Sequence, residues 1–240
     1  MKPPIIVQIY EIQDPREAEK LIEMGVNRIG SVILSPESWK IPAVRDVVRL
    51  VRGSGAKSSL IPLLPLEDDI LRALDFYQPD FVHFCESVPL SRERREECAT
   101  RCAEIAQIQQ RVRREFPPIG ITRSIPIPGP GLADPGPVLE TILEIAGKLA
   151  ETSDVFMTDT FRGYEKPNAD QPVEGYIGIT GEVCDWDMAA ALVGSTRIPV
   201  SLAGGISPEN AFDASGRVRP AGIDSCTQTN ARDNRGRPVR

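Results

Sequence analysis

The sequence predicts a single α/β domain, a (β/α)8 TIM barrel over residues 1–226, followed by a polar C-terminal segment at 227–240. Three observations carry that prediction. Short apolar runs alternate with amphipathic stretches, the pattern of parallel strands joined by right-handed crossovers. Eight such runs occur, a number that favours closure into a barrel over an open doubly wound sheet. The length, 240 residues, suits one barrel better than two domains.

The first strand is expected over 5–9. Asp14-Pro15 then opens a helix to Met24, with Asp as the cap, Pro at the first helical position and Gly25 as the stop. Strands over 28–33, 57–63 and 81–85 are followed by helices over 43–52, 67–76 and 91–116, the last long and charged. A strand over 119–127 precedes a helix over 137–151, and a strand over 155–159 precedes a long loop and a short helix over 186–192. The seventh pair is a strand over 200–203 and a helix over 208–215, and the eighth strand covers 222–226. No Gly-x-Gly-x-x-Gly follows the first strand, which weighs against a dinucleotide-binding fold. Beyond Cys226 the chain is rich in Asn and Arg without helical periodicity, so the last helix is expected to be short, disordered or missing.

Composition narrows the function classes. Hydrophobic residues at 41% and charged residues at 26% are ordinary for a globular domain, and a core of this size needs neither disulfide nor metal. A net charge of -6 gives no general attraction for nucleic acid or anionic lipid. There is no apolar run of membrane-spanning length and no signal-peptide pattern. The five cysteines lack disulfide spacing, so a reducing cytoplasm is the expected location. The expected partner is a small anionic or phosphorylated metabolite. No cofactor is expected, and a homodimer is compatible with the sequence.

Working residues in such a barrel lie at the C-terminal ends of strands and in the loops that follow. This rule selects Tyr10 and Glu11, residues 37–40, His83, Cys85, Arg123, Asp159, Gly204, Gly205 and residues 224–227. The strongest local signal is Ser201-Leu202-Ala203-Gly204-Gly205-Ile206-Ser207-Pro208-Glu209-Asn210. A strand ending in Gly-Gly lets backbone N–H groups approach a ligand, and a capped helix start after it would add anion-binding N–H groups.

This stretch resembles the phosphate loop of the phosphoribosylanthranilate isomerase family, the tryptophan-pathway barrel. Gly178-Ile179-Thr180-Gly181 and Cys184-Asp185-Trp186 are similar to that family's Gly-Gly-Thr-Gly and Phe-Asp-Trp pair. Val7 to Ile12 falls on its first strand, Phe156 to Thr160 on its Leu-Asp-Thr strand and Gly222-Ile223-Asp224 on its last. The resemblance covers the chain in register and is most specific in the C-terminal third. It implies an Amadori rearrangement of an aminoaldose to an aminoketose, with Asp159 as the acid, Asp224 as a further active-site Asp, and Gly204, Gly205 and Thr227 about the phosphate.

The departures cluster at the reacting centre. The family's first-strand Cys base is Tyr10 here, its Lys on the same strand is Gln8, and Glu11 stands where it has Gly. The Arg after its second strand corresponds to Glu37 or, with a small slip, Lys40; its strand-four Gln and His become His83 and Cys85. The fifth-strand cation survives as Arg123. Substrate binding is therefore assigned to Arg123, Asp224, His83 and Lys40. Glu11 is the expected base, through desolvation, ahead of Tyr10, whose unperturbed pKa is near ~10. A non-catalytic sugar-phosphate binder is the second reading. A zinc site from His83, Cys85, Cys226 and Glu11 is a third and weaker one. Trp39 is a candidate for stacking on a ring-bearing substrate, Trp186 for packing, and 161–176, with Arg162 and Lys166, for a mobile lid.

Overall fold

Strand and helix alternate as expected. The computed structural model describes residues 4–132, 134–163, 173–232 and 238–239. β1 (Ile6–Ile9) leads into α1 (Pro15–Glu23), whose cap Asp14 accepts a hydrogen bond from Arg16 N at 2.8 Å. β2 (Arg28–Ile33), α2 (Pro42–Arg52), β3 (Lys57–Pro62), α3 (Glu67–Tyr77) and β4 (Phe81–Phe84) follow. A 3-10 turn at Arg92–Arg94 precedes α4 (Arg95–Glu115), then β5 (Gly120–Pro128) and α5 (Gly136–Leu149). β6 (Val155–Phe161), α6 (Trp186–Ser195), β7 (Val200–Leu202), α7 (Ala211–Val218) and β8 (Gly222–Ser225) complete the series.

The eight parallel strands close in sequence order, with β1 paired to both β2 and β8. The outward faces of the strands meet the helices in two large apolar clusters. One is built around Phe156, Ile125, Ile142 and Leu192, the other around Phe84, Leu60, Leu74 and Ile121. Trp186 packs against the first of them, as expected. At the N-terminal end of the barrel the buried Arg28 guanidinium lies 3.9 Å from the centroid of the Phe81 ring.

Two elements differ from the sequence reading. The seventh helix starts at Ala211 rather than Pro208, because the Asn210 side chain braces a turn instead of continuing the helix. Ser207 N donates to Asn210 Oδ1 at 2.9 Å, and Asn210 Nδ2 donates to Gly205 O at 2.9 Å. After β8 there is a 3-10 turn at Thr227–Thr229 and a short antiparallel pair, β9 (Ala231–Arg232) with β10 (Pro238–Val239). A polar segment without an apolar stripe has nothing to bury against the barrel, so no eighth α-helix forms among the described residues.

Candidate active site

The period of two along each strand decides which side chains enter the barrel. Tyr10, Ser59, His83 and Ser124 all point inward and join into one polar chain. Tyr10 Oη lies 2.7 Å from Ser59 Oγ and 2.9 Å from His83 Nδ1, and His83 Nε2 lies 2.7 Å from Ser124 Oγ. Gly30 makes room for this arrangement, since a Cβ there would overlap the Tyr10 ring. Burial, with the nearby Arg123 and Arg28 charges, pushes the His83 pKa down to about 3. The imidazole is therefore neutral at ordinary pH, and both of its nitrogens are engaged. Burial likewise raises the Tyr10 phenol well above its ordinary value.

Two carboxylates line the cavity above this layer. Asp159, on β6, has its pKa raised to about 7 by burial, against a hydrogen bond from Thr160 N at 3.1 Å. Part of its surface still opens on the cavity. Asp224, on β8, is also raised to about 7, first by burial and further by the Asp159 charge. Gln8 Nε2 donates to Asp224 Oδ1 at 2.9 Å, and that bond and Arg28 oppose the shift. Two acids poised near neutrality in one cavity can give and take protons at physiological pH.

The Gly204–Gly205 turn borders the same cavity, with Thr227 beside it. Both glycines have positive φ, 92° and 63°. Their immediate steric reason is the β6–α6 segment: a Cβ on Gly205 would lie 2.5 Å from Val183 N, and one on Gly204 would strike Thr160 Oγ1. That segment is fastened by Thr160 Oγ1 donating to Glu182 O at 2.7 Å and by Gln228 Nε2 donating to Gly181 O at 2.9 Å. Gly178 passes over the acid, where a Cβ would be 2.7 Å from Asp159 Oδ2. The described end of the expected lid is docked, with Ser87 N donating to Gly175 O at 2.8 Å and Tyr176 Oη to Leu64 O at 3.1 Å, and just beyond it Ile177 N donates to Cys85 O at 2.9 Å. Lys166 lies outside the described residues.

Tyr10, Glu11, His83, Asp159, Gly204, Gly205, Asp224 and Thr227 thus meet around one cavity. Arg123 does not. Ser124 faces inward to His83, so its neighbour faces outward; Arg123 is fully buried there, paired with the carboxylate and carbonyl of Glu86. Lys40 is also elsewhere, its ammonium 4.9 Å from the Trp39 ring and 5.5 Å from the Phe76 ring. Trp39 packs edge-on against Phe76 and lies outside the cavity. Glu11 lines the cavity and is half-buried, and Asn230 Nδ2 donates to its Oε2 at 3.3 Å. Among the described residues no group of three or more His, Cys, Asp or Glu side chains is placed to hold a metal ion. The sequence reading missed Ser59 and Ser124, whose signal is a polar residue at an inward position of an otherwise apolar strand. It also missed Ile177, which only the docking of the segment brings to the site.

Comparison with known proteins agrees with the barrel fold. No family model matches the chain. The N-(5'-phosphoribosyl)anthranilate isomerase of Methanothrix thermoacetophila is 25% identical over 231 residues, covering 94% of this chain and 90% of that one. Over most of its length the chain is thus similar to phosphoribosylanthranilate isomerases, at 23–25% identity. Among solved structures, the Pyrococcus furiosus isomerase superposes with a TM-score of 0.66 at 16% identity, covering 98% of this chain and 93% of that one. Monomers generated from the dimeric Thermotoga maritima isomerase give 0.58 at 18% identity, with 95% and 90% covered.

At two positions where the motifs of the phosphoribosylanthranilate isomerase family have Gly, this chain carries another residue. Glu11 and Ile179 there have left-handed φ values of 64° and 57°. Such a conformation is strained for any side chain and most of all for a β-branched one. Both residues line the cavity.

Proposed function

We propose that this chain converts a 5-phosphorylated aldosylamine into the corresponding aminoketose, an intramolecular aldose–ketose (Amadori-type) isomerisation. The observation that carries this reading is the pair of desolvated carboxylates, Asp159 and Asp224, in one cavity beside the Gly204–Gly205 turn. The reaction needs an acid at the ring oxygen and a base at the carbon next to the anomeric centre.

Asp159 is the acid, because burial favours its protonated form and a single backbone N–H opposes this. Asp224 is the base, because the Gln8 amide and the Arg28 charge both favour its anion. Asp159 gives its proton to the ring oxygen as the C–O bond breaks, leaving an iminium ion. Asp224 then takes the proton from the adjacent carbon, and the resulting enaminol tautomerises to the aminoketone. Tyr10 is less suited as base, since its hydroxyl is committed to Ser59 and His83. Glu11 follows β1 rather than lying on a strand, and its Oε2 accepts from Asn230 Nδ2. The phosphate is held by the turn at Gly204 and Gly205 and by Thr227, and His83 forms a neutral floor.

The test joins a thermal-shift measurement with ribulose 5-phosphate to an assay for ketose formation from N-(5'-phosphoribosyl)amines. Stabilisation together with turnover is expected, with Asp159→Asn keeping the first and losing the second. No stabilisation by any phosphosugar overturns the reading. Stabilisation without turnover favours a non-catalytic phosphosugar binder, the second reading, which Tyr10 in place of the family's Cys supports.

A further inference from the structure

The cavity has two unlike ends. Asp159, Asp224, Gly204, Gly205 and Thr227 offer acids and backbone on the β6–β8 side. Across from them Val32, Ile61, Leu63, Cys85 and Ile177 pack into one apolar wall. Ile179 adds a further apolar side chain to the lining, held at a φ that an isoleucine adopts only under strain.

A substrate whose phosphosugar is held at the first end must lay the group on its anomeric nitrogen toward the second. In the relatives' named substrate that group is anthranilate, a benzoate, and its carboxylate needs a counter-charge once out of water. Among the described residues no Lys or Arg lines the cavity. Arg123 is turned outward onto Glu86, Lys40 lies over Trp39 and Phe76, and Arg28 is stacked on Phe81 at the other end of the barrel. Arg162 is held by Thr180 O at 3.1 Å and by Glu182 Oε1 at 3.0 Å. The ionisable groups that do line the cavity, Glu11, Asp159 and Asp224 among them, would repel an anion when charged, and His83 is neutral.

Resting on the isomerase reading above, we infer that the substrate is a 5-phosphoribosylamine whose nitrogen carries an uncharged apolar group, such as a phenyl or alkyl, rather than a benzoate. The test is calorimetric binding of three ligands to the intact protein: ribulose 5-phosphate, its phenylamino-deoxy derivative and the carboxyphenylamino-deoxy counterpart. The phenyl compound should bind at least about tenfold more tightly than the carboxyphenyl compound. Val32→Lys, which brings an ammonium into the wall, should narrow or reverse that preference; the wild-type comparison stands even where this variant fails to fold. Equal binding, or preference for the carboxyphenyl compound, overturns the inference. Binding of ribulose 5-phosphate with neither aryl compound bound also overturns it and leaves the isomerase reading standing. Binding of none of the three removes both.

Discussion

The β6–β8 side of the barrel mouth and the β2–β4 side are built from the same parallel strands, yet they offer a ligand opposite chemistry. On the first, the strand ends present two near-neutral carboxylates and a glycine turn wedged beneath the β6–α6 segment. On the second, the inward positions are apolar, and the nearby cations are turned away onto Glu86, Trp39 and Phe76. The difference shows how a barrel separates its tasks. The strand scaffold is common to both sides, and at Glu11 and Ile179 side chains hold a conformation that suits glycine. The side chains at the strand tips change around it.

The contrast can be broken most severely at the acid. Asp159→Asn should lower turnover by about 10²–10⁴-fold, the usual worth of a positioned general acid, measured as kcat with binding retained. The same variant should be more stable than the wild type at pH 8. The Asp159 carboxyl has a raised folded-state pKa, so the folded protein holds its proton more tightly than the unfolded chain. Stability contributed this way is present at low pH and falls as pH rises from the ordinary carboxylate range through about 7. Removing the charge should recover on the order of 2 kcal/mol in denaturant unfolding at pH 8.

Gly205→Ala attacks the turn rather than the acid. With φ at 63° and backbone atoms of Val183 and Glu182 within 2.5–2.8 Å of the added Cβ, it should cost about 3 kcal/mol and loosen the β6–α6 segment, read as a lower Tm and faster proteolysis there. Tyr10→Phe removes the hydroxyl between Ser59 and His83. It should cost roughly 1–3 kcal/mol of stability and change turnover less than about tenfold, which separates a structural tyrosine from a catalytic base. The smallest effect is expected at Ile179→Gly. Relief of the left-handed strain is offset by the freedom of glycine, so stability should change by less than about 1 kcal/mol. Binding of an apolar nitrogen substituent should weaken.

Much of the fold was legible because its signals are local. Asp14-Pro15 and Gly25 bracket α1, β-branched runs mark the strands, and the unpatterned tail indicated that no full eighth helix would form. Asp159, Asp224 and the Gly204–Gly205 turn were legible because they end strands and match a motif. The orientation of Arg123 was decided by strand parity, since it lies mid-strand in β5 beside the inward-facing Ser124. Lys40 and Trp39 were settled by Phe76 on α3, far from them in sequence. Glu182 and Val183 give the glycine turn a packing reason that a motif for ligand binding conceals.

The division of labour between Asp159 and Asp224 is tested most directly by the pH dependence of kcat/KM for wild type beside Asp224→Asn and Glu11→Gln. The pair is active with one proton between its members, so the wild-type profile should be a bell with its maximum near pH 7. Asp224→Asn should lose the rising limb along with most of the rate, and Glu11→Gln should keep the bell. A profile flat between pH 6 and 8, or a bell that survives Asp224→Asn and disappears in Glu11→Gln, would contradict the account.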